Sequence, residues 1–135
     1  MEIDENNEYV SQETWETYSY LDKELKIRDE KLQNTIGKIV KIANEHFNDI
    51  VGFFPDQVVD DYCDLLDSHT SYLEKQITRL KIELKMFKEI GVTEKVHKIM
   101  IECRKEDLKD VGILQCSADN LLGRCIEYTQ KSAAA

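Results

Sequence analysis

A single proline in 135 residues sets the first constraint on this chain. Pro55 sits in "DIVGFFPDQVVDDY", between two long stretches whose apolar residues recur three or four positions apart. Proline lacks the N–H that a helix interior needs and its ring clashes with the preceding turn, yet it suits the first turn of a new helix. Gly52, just ahead of it, can end a helix. The stretch therefore marks a break between two helices. Before the break, Trp15, Tyr18, Leu21 and Leu25 begin an apolar stripe. Leu32, Ile36, Ile39, Ala43, Phe47, Ile50 and Phe54 continue it at steps of 4, 3, 4, 4, 3 and 4, which is helical spacing and not strand alternation. Gly37 costs ~1 kcal/mol against alanine inside a helix, too little to end one patterned this strongly. The spacing predicts a first helix over 12–51, roughly 60 Å long at 1.5 Å per residue.

After the break the pattern resumes. Tyr62, Leu66, His69, Leu73, Ile77, Leu80, Leu84 and Phe87 follow at steps of 4, 3, 4, 4, 3, 4 and 3. Asp56, Asp60 and Asp61 stand at the start, while Lys81, Lys85 and Lys88 gather before Gly91, as the helix dipole favours. The second helix is expected over 56–90. Thr93 can cap a third, over 94–110, carrying Val96, Ile99, Met100 and Cys103. Ser117 can cap a fourth, over 118–131, with Leu121, Leu122, Cys125 and Ile126. Between them, Lys105 to Cys116 fits either a loop or a short turn of helix. The expected fold is all-α: a long antiparallel, coiled-coil-like hairpin, with shorter C-terminal helices completing a bundle or a dimer.

The two stripes suggest a register. If facing residue numbers sum to about 109, Phe47 meets Tyr62, Ala43 meets Leu66, Ile36 meets Leu73, Leu32 meets Ile77 and Leu25 meets Leu84. Lys38 and Lys41 then lie near Asp64 and Asp67, and Asp22 near Lys85. Burial at about 1.5–3 kcal/mol per large side chain dominates such a seam; exposed ion pairs tune it by at most ~1 kcal/mol each. The surplus apolar residues define the candidate interaction surface. On the second helix these are Val58, Leu65, Tyr72 and Met86, seven apart apart from Arg79. On the first they include Tyr20 and Ile27, with Trp15 and Tyr18 of "WETYSY" as a further patch or as the plug at the open end of the hairpin.

Composition narrows the function. The net charge of −9 argues against a nucleic-acid surface and against an anionic membrane, both of which need clustered Lys and Arg. No apolar run approaches 18 residues and no signal peptide is present, so no membrane insertion is expected. Glu2, Asp4, Glu5 and Glu8 lie in residues 1–11, which read as an acidic, disordered lead-in. The helical domain spans 12–132, and Ala133–Ala135 reads as a cloning scar, which makes the chain a piece of a longer protein.

Cys63, Cys103, Cys116 and Cys125 form no C-x-x-C pair, and the histidines are scattered, so neither metal nor cofactor is expected and the thiols read as reduced, in a cytoplasmic or nuclear protein. His69 lies on the stripe as a boundary residue; His46 and His97 read as surface residues. Acidic pairs such as Asp60–Asp61 resemble a catalytic dyad but suit a helix N-terminus better. With no phosphate-binding, nucleophile-elbow or dinucleotide motif, the chain is not expected to be an enzyme.

Two functional classes remain: a dimerisation or scaffold module, and a regulatory bundle of membrane trafficking whose Leu65–Tyr72–Met86 groove takes a partner helix. "LQNTIGKIVKIANEHFNDIVGFFPD" and "LEKQITRLKIELKMFKEIGV" resemble the N-terminal region of the microtubule-bundling crosslinkers of the spindle midzone, with Phe87, Glu89, Ile90 and Gly91 fitting loosely an aromatic-E-I-G helix ending. The resemblance covers about residues 30–95. It implies a homodimerising helical domain of a spindle-associated protein, with microtubule binding supplied by a later domain outside this chain.

Overall fold

The structure is a computed structural model that describes residues 10–46 and 53–134. It holds three long helices: α1 Gln12–Glu45, α2 Asp56–Glu89 and α3 Glu94–Ala134. The fold is all-α, as the periodicity predicts. The segments expected as two short C-terminal helices, 94–110 and 118–131, belong to one helix of 41 residues. Ser117 lies within it and caps nothing.

The local signals around α2 hold. Pro55 adopts φ −56° and its carbonyl accepts from the Val58 N–H at 2.9 Å, so the proline opens α2. At the other end Gly91 takes φ +81°, a left-handed conformation that side chains resist, and the chain leaves the helix there. Two residues on, Thr93 Oγ1 accepts from the Val96 N–H at 3.2 Å and starts α3. Ser11 caps α1 by accepting from the Thr14 N–H at 3.2 Å, and its own N–H donates to Glu94 Oε2 at 2.8 Å. Val10 is buried. Residues 10 and 11 are therefore part of the packed structure and not of a disordered lead-in. The rest of that lead-in, residues 1–9, lies outside the described residues, as do Gly52 and the expected last turn of the first helix.

The cross-contacts fix the topology. Ser11 and Thr14 meet Glu94, Trp15 stacks on His97, Asp22 reaches Arg104 and Thr35 meets Gln115. Numbers rise together, so α1 and α3 run parallel. Glu83 meets Arg104, Lys75 meets Asp110 and Asp61 meets Arg124, so α2 runs antiparallel to α3. Both α1 and α2 pack on α3, and α1 also meets α2 through the Tyr72–Asp29 hydrogen bond.

The core follows a seven-residue repeat. On α3 the buried line is Met100, Arg104, Asp107, Val111, Leu114, Ala118, Leu121 and Cys125, at steps alternating 4 and 3. On α1 it is Leu25, Leu32, Ile36, Ile39 and Ala43, with half-buried Asp29 in the position between the first two. Two positions in the upper part of the α3 line are charged, and this determines which face α2 turns inward. Arg79 Nη1 donates to Asp107 Oδ1 and to the Cys103 carbonyl. The Arg104 guanidinium grips both oxygens of Glu83, at 2.9 and 3.1 Å. Arg79 and Glu83 lie on the line of Val58, Leu65 and Tyr72, so that line faces α3.

Here the expected register fails. The line Leu73, Ile77, Leu80 and Leu84, expected to meet α1, points to solvent. The described ion pairs of α2 run to α3, and Asp22 binds Arg104 at 3.4 Å instead of Lys85. Turning the more apolar line inward would strip buried Asp107 of Arg79 and take both Glu83 bonds from Arg104, leaving that guanidinium only the 3.4 Å contact with Asp22 and the Tyr18 hydroxyl. An orphaned buried charge of that kind costs about 3–5 kcal/mol, more than exchanging one row of aliphatic side chains for another.

Candidate interaction surface

Four of the side chains that α2 turns outward form a continuous apolar seam: Leu73 is 39% exposed, Ile77 53%, Leu80 52% and Leu84 59%. They follow one another at steps of 4, 3 and 4. Half-exposed Tyr62, Leu66, His69 and Phe87 extend the row at both ends. At 3.6 residues per turn the seam lies about a quarter-turn round α2 from the buried line. Single exposed aliphatics are normal on any protein surface, but a row this long at helical spacing is what a packed helix presents to a neighbour.

The side chains beneath the seam are held firmly. Tyr72 donates to Asp29 Oδ1 at 2.6 Å, the link between α2 and α1 at mid-height. Burial, and then the carboxylate beside it, push the Tyr72 hydroxyl far above the ordinary tyrosine range. Burial likewise raises Asp29, partly offset by the Tyr72 hydrogen bond and by His69. Arg104 loses hydration on burial, yet its bonds to Glu83 and the neighbouring Tyr18 and Asp22 more than restore the charged form. The hydrogen bonds that Lys75 donates to Glu106 and Asp110 raise its pKa. These groups are engaged with one another. Among the described residues no group of three His, Cys, Asp or Glu is placed to hold a metal ion, and no helix is long and apolar enough to cross a membrane.

The residues singled out from sequence divide. Tyr20 and Ile27 are exposed on α1 and Met86 is half-exposed. Val58, Leu65 and Tyr72 are buried within the chain's own core, so the groove expected along Leu65, Tyr72 and Met86 is already filled. Trp15 and Tyr18 pack against His97 with ring centroids 5.1 and 4.6 Å away, which closes the upper end of the bundle. His97 is accordingly buried, not at the surface; the two aromatic rings of α1 cover it. At the lower end Phe53, Phe54 and Tyr128 make the equivalent plug, with Phe53 stacked on His46 at 4.0 Å. Cys63 and Cys116 are exposed, Cys125 is buried, and all four thiols are free.

Sequence reading placed the seam residues in the core and missed them as surface. The usable signal was α3: once 94–134 is read as one helix with Arg104 and Asp107 on its inward line, Arg79 and Glu83 become the partners that orient α2. No protein-family profile matches the sequence, and neither a curated protein nor a solved structure matches it.

Proposed function

We propose that this chain is a non-enzymatic helical dimerisation or scaffold module of a larger protein. The supporting observation is the outer seam of α2, an apolar row that the three helices leave uncovered. Its residues are those a coiled coil uses, and its rigid support on α3 keeps them aligned for a partner helix. The resemblance of residues 30–95 to spindle-midzone crosslinkers makes a cytoskeletal or chromosome-segregation role the preferred setting, with microtubule binding supplied from outside the chain. The −9 charge accords with that division of labour, since the microtubule surface is itself acidic.

Sedimentation equilibrium at micromolar concentration tests the reading. The expected result is a reversible dimer that the Ile77→Ser/Leu80→Ser variant converts to a folded monomer. A wild-type chain that stays monomeric would remove the case for self-association and leave the trafficking-type alternative, in which the same seam takes a helix from a different protein.

A further inference from the structure

Resting on that reading, we infer that the occupant of the seam is a second copy of this chain, with its α2 packed antiparallel to the first about a two-fold axis near residues 74 and 75. The seam is self-complementary in reverse. If facing numbers sum to 149 or 150, Phe87 meets Tyr62 of the other copy, Leu84 meets Leu66, Leu80 meets His69 and Ile77 meets Leu73. Each contact then occurs twice, as an isologous interface requires.

Charge selects the orientation. Asp60, Asp67, Glu74, Lys81 and Lys88 are spaced seven apart, so they form one line along α2. All five are exposed, on the side of the seam away from α1. The line is acidic in its first part and basic in its last. An antiparallel two-fold sets it against itself in reverse: Lys81 comes opposite Asp67 and Lys88 opposite Asp60, in both directions. A parallel pairing would set this line against the partner's other flank, where α1 packs. Among the described residues, the ion pairs that α2 makes within its own chain use Asp61, Lys75, Arg79 and Glu83, and none uses these five charges. One contact is unfavourable: Glu74 faces Glu74 at the two-fold.

A charge swap tests the pairing by sedimentation equilibrium of the full chain. The variants Lys81→Glu/Lys88→Glu and Asp60→Lys/Asp67→Lys each turn all four cross-copy contacts into like-charge contacts. Alone, each should dimerise at least about ten-fold more weakly than wild type; mixed in equal amounts, they should form a heterodimer of near wild-type affinity. Glu74→Gln should tighten the dimer about two- to five-fold. The altered side chains are exposed, so far-UV circular dichroism should not change. If wild type dimerises but neither swap weakens it, or the mixture fails to recover, the antiparallel pairing is wrong and dimerisation through another face stands. If wild type remains a monomer, both readings fall.

Discussion

The two halves of the bundle are built on different chemistry. In the lower half, Ile36 and Ile39 of α1 pack with Val58 and Leu65 of α2 and Leu114, Ala118, Leu121 and Cys125 of α3, and the core is mainly apolar, with buried Thr35 bonded to Gln115 at its upper edge. In the upper half the same seven-residue lines carry Asp22, Arg79, Glu83, Arg104 and Asp107. An apolar core stabilises many rotations of a helix almost equally, because one aliphatic row replaces another at small cost. A buried guanidinium accepts only the arrangement that brings it a carboxylate. The lower half therefore leaves the rotation of α2 weakly specified, and the upper half selects which face of α2 turns inward.

The most direct way to break this contrast is Arg104→Ala, which leaves Glu83 buried without its partner. A loss of about 3–5 kcal/mol is expected in urea unfolding. Replacing both partners, Glu83→Leu with Arg104→Met, should recover most of that loss while weakening the preference for one α2 rotation, visible as broadened amide signals in NMR spectra. In the lower half Leu121→Ala should cost about 2–5 kcal/mol through the cavity it leaves, toward the smaller end if the helices close in, with the spectrum staying sharp.

A smaller effect comes from pH. Burial lowers the pKa of His97 below 6.5, with Glu94 opposing weakly, and burial lowers His69 in the same direction against Asp29. As pH falls below 6.5 the unfolded chain takes up protons before the folded one does, so stability is greatest above 6.5 and declines toward the folded values. Thermal melts between pH 7.5 and about 5 should show this decline, and His97→Phe should flatten part of it. Smallest of all, Ile77→Ser in dilute, monomeric solution should change unfolding stability by no more than about 0.5 kcal/mol. A larger loss would mean that the outer seam belongs to the core after all.

The same contrast explains what could be read from the sequence. Helix starts and stops were legible at Pro55, Gly91 and Thr93 because each acts through its own backbone geometry. The all-α class was legible because period 3.6 persists across every long segment. The inward face of α2 was not. It carries two apolar lines, and counting aliphatic residues favours the one that lies outside. Arg79 looked like an interruption in the weaker line, when it marks the line that answers Asp107. That pairing joins residues 28 apart in sequence, across a turn, and no local pattern exposes it. His97 was misplaced for the same reason, since its cover comes from Trp15 and Tyr18 at the far end of the chain.

With three alternating helices, Gln12 and Ala134 lie at opposite ends of a rod. The longest helix, 41 residues, makes that rod about 60 Å long at 1.5 Å per residue. Tension applied through the flanking chain would run along the long axis and strain the parallel α1–α3 contact in shear, with many turns resisting together. A hairpin whose two ends emerge side by side would instead peel open one turn at a time. Pulling the chain from its two ends in an optical trap should therefore require more force than pulling it across the Glu45–Asp56 connection, and the reverse ranking would rule out this mechanical asymmetry.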